Sequence, residues 1–135
     1  NGSVDKHLSL FQIWIIPNKQ NIEPRYDQKT FLEENRKNKL QTLVTSIDEN
    51  NEGSLKIHQV AILSRIDLDK GKTFKYELKS EKHGVYVMTI HGNVMINSNS
   101  LQTRDAIGVS ETEDFDINVL EDSQLLFIEV QLLEL

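Results

Sequence analysis

From residue 40 onward, apolar residues recur at every second position, in short runs broken by turn residues. Residues 73–79 show it best: Phe74, Tyr76 and Leu78 share one side, and Lys75, Glu77 and Lys79 the other. One apolar face at period two is the mark of a strand with one buried face. Val60, Ile62, Ser64 and Ile66 share a face in the same way over residues 60–67. Residues 40–46 contain Leu-Val-Thr, and residues 84–91 supply Val85, Tyr86, Val87, Met88 and Ile90. Val94 and Ile96 follow Gly92-Asn93, a pair that predicts a hairpin turn between two neighbouring strands. Further short strands are expected near Leu101 and over residues 106–110, 115–119 and 125–132. Near the start, residues 8–16 read as one more strand, apolar and buried, which stops at Pro17.

Helix signals are weak. Residues 30–39 can form one or two turns, with Thr30 as cap and Glu33 placed to complete a capping box. Arg36, Lys37 and Lys39, next to Glu33 and Glu34, read as a solvated face rather than a phosphate site. Residues 48–53 form a polar loop. Many short strands separated by turns predict an all-β fold that closes on itself, a barrel or jelly roll, and closure also hides strand edges. An immunoglobulin-type sandwich is the competing architecture, without its usual disulfide.

The chain has 135 residues, enough for one domain with a real core, and residues 1–135 are read as that domain. Hydrophobic content of 38% with 27% charged residues suits a folded globular chain. The absence of cysteine excludes disulfides, thiolate metal sites and cysteine nucleophiles. A net charge of −6 without a basic stripe argues against nucleic acid as a partner. No apolar run is long enough to cross a membrane as a helix. A cytoplasmic location is expected. Neither a nucleophile elbow nor a glycine-rich phosphate loop is present. The acidic run of Glu111, Glu113, Asp114 and Asp116, near Glu121 and Asp122, is read as solvated.

Several segments together resemble a known family. Phe11-Gln12-Ile13-Trp14-Ile15-Ile16-Pro17 leads into Pro24-Arg25-Tyr26-Asp27-Gln28-Lys29-Thr30-Phe31. The segments at residues 38–46, at Gly53-Ser54-Leu55-Lys56-Ile57-His58-Gln59, over residues 86–97, over residues 101–107 and at Leu125-Leu126-Phe127 follow in order. In this order they resemble the C-terminal half of the pirin-like, quercetin 2,3-dioxygenase-related bicupins. Arg104 and Val60 depart from the family pattern, at its usual glycine and aspartate.

The resemblance implies a cupin-type double-stranded β-helix, lying just after a first cupin domain that is absent from this chain. It also implies that any divalent metal belongs to that N-terminal cupin. Catalytic cupins hold their metal with two histidines one residue apart on a strand, an acidic residue and a later histidine. Counted from Gly71, the paired positions fall on Glu77 and Lys79, while the alternation points Tyr76 and Leu78 inward. The acidic position falls near His83 or Gly84, and no histidine follows His91.

No catalytic, cofactor-binding or metal-binding residue is therefore assigned. The four histidines are His7, His58, His83 and His91, each read as a surface or hydrogen-bonded residue. His58 and His91, with Glu77 near them, are the set to watch for a metal. Trp14, Tyr26 and Phe31 are expected in the core, or else at a domain interface. The reading that results is a metal-free companion domain that supports a catalytic N-terminal cupin, or pairs with a second copy, through residues 14–31. The alternatives are a module binding a flavonoid-like small molecule, and a metal-dependent dioxygenase with an unusual ligand set.

Overall fold

The structure is a computed structural model and describes residues 2–132. After one 3-10 turn at Glu33–Arg36 come ten strands. They are β1 Gln41–Ser46, β2 Leu55–Ile57, β3 Ala61–Leu68, β4 Thr73–Glu77, β5 His83–His91, β6 Asn93–Ile96, β7 Asn99–Gln102, β8 Ala106–Val109, β9 Asp114–Val119 and β10 Ser123–Gln131. A six-stranded sheet runs in the order β2-β1-β3-β10-β5-β8, and a four-stranded sheet in the order β4-β9-β6-β7. Apart from the parallel pair β1–β2, neighbouring strands are antiparallel. This is the all-β, two-sheet jelly roll that the alternation predicts.

The core fills the space between the sheets. Ile66, Leu68, Val85, Val87, Leu125 and Phe127 come from the larger sheet, and Tyr76, Val94, Ile96, Leu101, Phe115, Ile117 and Val119 from the smaller. Leu78, just past β4, joins them, so Tyr76 and Leu78 do point inward while Glu77 and Lys79 are exposed. Burying an apolar side chain of this size contributes about 1.5–3 kcal/mol. Tyr76 stacks on Phe127 with ring centres 4.6 Å apart, and tilts against Phe115 at 5.6 Å. On β3 the inward residues are Ser64, Ile66 and Leu68, whereas Ala61 and Leu63 are buried on the opposite face.

Four local expectations fail. Residues 8–16 form no strand, and most of their side chains are exposed. The Gly92 corner is not a hairpin, because β5 pairs with β10 and β8 while β6 pairs with β7 and β9. The chain there leaves one sheet and enters the other. The hairpin lies one strand later, between β6 and β7, with Asn97 at φ 52°. The 3-10 turn starts after Leu32, with no side-chain cap, so Thr30 does not cap it. Arg36 is buried rather than solvated: its Nε binds Asp67 Oδ2 at 2.9 Å, and its second guanidinium nitrogen lies 3.1 Å from Glu33.

Candidate functional site

Chemistry inside such a sandwich needs polar groups aimed between the sheets, and one end of this interior holds such a group. Glu129 shares its face of β10 with Leu125 and Phe127, and is 2% exposed. Tyr76 Oη, from β4, donates to Glu129 Oε2 at 2.7 Å. The backbone N–H of Lys79 donates to Glu129 Oε1 at 2.8 Å, and His83 Nδ1, from the start of β5, lies 2.8 Å from the same oxygen. With its proton on Nδ1, the imidazole is a third donor. The cluster thus ties β4 of the smaller sheet to β5 and β10 of the larger. At its rim, Lys79 Nζ pairs with Glu49 in the loop after β1.

Three donors on one buried carboxylate account for its burial, because a buried charge is tolerated when its lone pairs are satisfied. The phenol feels the opposite pressure. Burial first, and then the hydrogen bond and charge of Glu129, push the Tyr76 hydroxyl well above its ordinary value, so it stays protonated. A metal would need donors that are free to turn toward it. Here both carboxylate oxygens and the imidazole Nδ1 are engaged, the third group is a phenol held neutral, and the remaining nitrogen, His83 Nε2, stands in no group of three ligating side chains among the described residues. The residues present do not fit a cupin metal. Ser64 and Thr89 also face inward, and their hydroxyls have no hydrogen-bond partner among the described residues.

The expected site residues scatter. His7 is exposed. His58 follows β2 and His91 ends β5, with β1, β3 and β10 between those strands. Glu77 is exposed on the other sheet, so the set to watch does not assemble. Among the described residues no group of three His, Cys, Asp or Glu side chains is placed to hold an ion. His83 is the histidine with a buried partner, and that partner, Glu129, is the residue the sequence reading missed. The signal was available: Glu129 is a charge on the same strand face as Leu125 and Phe127, which is out of place on a buried face unless paired.

The aromatic residues expected in the core lie outside it. Trp14 is 87% exposed and Tyr26 84% exposed. Phe31 is half-buried, with Lys29 Nζ 5.8 Å from its ring centre. Residues 2–32 run over the outside of the sandwich. They are tied down by Asn18 N–H to His58 O at 2.8 Å, Gln59 Nε2 to Ile16 O at 2.9 Å, Lys29 Nζ to Gly53 O at 2.7 Å, and Arg104 over the Phe11 ring at 4.9 Å. A groove of about 410 Å³ lies between residues 15–27 and strands β1–β2, walled by Ile15, Pro17, Ile22, Val44, Leu55 and Ile57. It is separate from the interior of the sandwich.

The sequence and this fold both match known proteins. Residues 43–130 match the family described as the quercetinase C-terminal cupin domain, which is more than half the chain. The chain belongs to the quercetinase C-terminal cupin domain family. Its relatives include the quercetin 2,3-dioxygenase of Escherichia coli K12, 33% identical over 130 residues that make up 96% of this chain and 54% of that protein. A putative quercetin 2,3-dioxygenase of Zymomonas mobilis is 31% identical over 119 residues, 88% of this chain and 50% of that one. The structure is similar to that of the E. coli bacterial pirin YhhW in complex with nickel(II), with TM-score 0.78 and 27% identity, covering 89% of this chain and 49% of YhhW.

This cupin domain thus spans about half the length of the relatives it matches. The family resemblance seen in the ordered motifs is borne out. No helix among the described residues is long and apolar enough to cross a membrane.

Proposed function

We propose that this cupin domain is the metal-free companion half of a quercetinase-related, pirin-like protein, whose role is to cover and orient a catalytic N-terminal cupin rather than to catalyse. The observation that carries this reading is the interior. Where a metal-dependent cupin needs free imidazole and carboxylate donors, this one has Val, Ile, Leu and Phe, closed at one end by a self-satisfied Tyr76–Glu129–His83 cluster. Two further facts support it. The relatives are about twice as long as this chain, and Trp14 and Tyr26 present apolar surface outside the sandwich, where a neighbouring domain would cover them. On this reading any divalent metal, and any oxidation of a flavonol, belongs to the N-terminal cupin.

Metal analysis of the purified chain tests the proposal. The expected result is less than about a tenth of an equivalent of Fe, Ni, Cu, Mn or Co, with no rise in melting temperature when each ion is added in excess. A stoichiometric ion that raises the melting temperature, and whose binding is lost in Glu129→Gln or His83→Gln, would overturn it.

A further inference from the structure

Residues 8–16, Leu-Ser-Leu-Phe-Gln-Ile-Trp-Ile-Ile, carry no charge, glycine or proline, and Pro17 follows at once. Nine residues of this kind match β5 and β10 in length. Their side chains alternate as a strand's do. Phe11, Ile13 and Ile15 are the less exposed set, and Leu10, Trp14 and Ile16 the more exposed, at 65%, 87% and 83%. Both faces are apolar, which is the composition of a strand covered on both sides. Yet the segment belongs to neither sheet. Among the described residues, the hydrogen bond that reaches its backbone is the one from Gln59 Nε2 to Ile16 O. It has the sequence of an interior strand and the surroundings of a surface strap.

We propose that residues 8–16 are a donated strand. They complete the sheet of a preceding cupin domain by backbone pairing, and Leu10, Trp14 and Ile16 enter that domain's apolar interior. This deepens the companion-domain reading and rests on it. The boundary between the halves then lies inside this chain, after Pro17, and not before Asn1. The occupant is a preceding cupin because of where the segment stands. It lies N-terminal to residues 43–130, the part that matches a C-terminal cupin, and the match to the E. coli enzyme extends over 96% of this chain while using 54% of that protein. A strap fastened in this way joins the halves by main-chain hydrogen bonds rather than by side-chain contact alone.

Amide hydrogen exchange, resolved by peptide, provides the test. It compares the intact chain with a fusion in which the unmatched part of the E. coli quercetin 2,3-dioxygenase precedes it. In the free chain, residues 8–16 are expected to exchange at unfolded rates while β3, β5 and β10 are protected. In the fusion, residues 8–16 should slow by about a hundredfold or more. Suppose the fused halves stay together after proteolytic cleavage within residues 18–31 while residues 8–16 exchange freely. The donated strand is then wrong and the companion reading stands. If the halves separate and the segment is unprotected, both fail. Protection of residues 8–16 in the free chain also overturns the proposal, because the segment would then belong to this domain or pair with a second copy. Should the fusion not fold, the free chain decides: Trp14→Ser with Ile16→Ser should leave its melting temperature unmoved, and a fall of several degrees overturns the proposal.

Discussion

At the scale of the residue, Glu129 shows how a carboxylate comes to sit inside an apolar sandwich. Its position was chosen by strand parity, and its partners come from β4, β5 and the turn after β4. Removing it strands three donors in the interior. Glu129→Ala is therefore expected to cost about 3–5 kcal/mol in urea unfolding. Tyr76→Phe loses one hydrogen bond but keeps the ring stacked on Phe127, and should cost only about 1–2 kcal/mol. Equal losses in the two variants would mean that the carboxylate is not the hub. The cluster also sets a pH dependence. The Tyr76 hydroxyl is raised in the folded state, so its contribution is complete below the unfolded tyrosine value of about 10 and is lost as pH rises beyond it. Denaturant midpoints of the wild type should fall above about pH 10, and those of Tyr76→Phe should fall less. Tyr76 and Leu78 were legible as inward residues because alternation marks a buried face. The partners of Glu129 were not, because Tyr76 and His83 lie 53 and 46 residues away from it in the chain.

At the scale of the element, Gly92 decides how the two sheets join. Its φ is +99°, and a Cβ there would lie 2.3 Å from Ser123 Oγ and 2.4 Å from Asp122 O. A side chain meets both a backbone clash and a left-handed conformation. Gly92→Ala is expected to cost about 3 kcal/mol or more, or to prevent folding. Gly108, on the edge strand β8, is the contrast: a Cβ there meets nothing within 4 Å, so Gly108→Ala should stay within about 0.5 kcal/mol. Urea denaturation of the two variants checks the pair, and a mild Gly92→Ala would deny the corner its role. In sequence, Gly92-Asn93 signals a turn but not which sheet each strand joins. That is decided by pairing partners distant in the chain. Residues 8–16 teach the same lesson from the other side. Their composition is that of a covered strand, but in the domain described here they belong to neither sheet. Arg36 was misread for a related reason, since its partner Asp67 lies 31 residues on, on β3.

At the scale of the whole molecule, the order β3-β10-β5 places the last strand at the centre of the larger sheet. Ala61 pairs with Val130, and Ser64 with Phe127. The larger sheet cannot be completed until nearly the whole chain is present. Such non-local pairing makes folding slow, so refolding should take milliseconds to seconds rather than microseconds. Phe127 is fully buried at that centre, and Phe127→Ala should cost about 3–5 kcal/mol. Stopped-flow refolding followed by tyrosine and tryptophan fluorescence checks the rate, and a microsecond phase carrying the full amplitude would contradict the topology.

The sequence alone determined that the chain is all-β, which face of most strands is buried, and which family it belongs to. Those properties reside in nearest neighbours along the strand and in the order of short motifs, and a linear reading sees both. Only the tertiary structure decided that β5 and β6 lie in different sheets, that Glu129, His83 and Tyr76 meet, and that Trp14 stands outside the sandwich. Each of those depends on contacts between residues far apart in the chain, whose closure is set by the packing of two sheets and leaves no local mark.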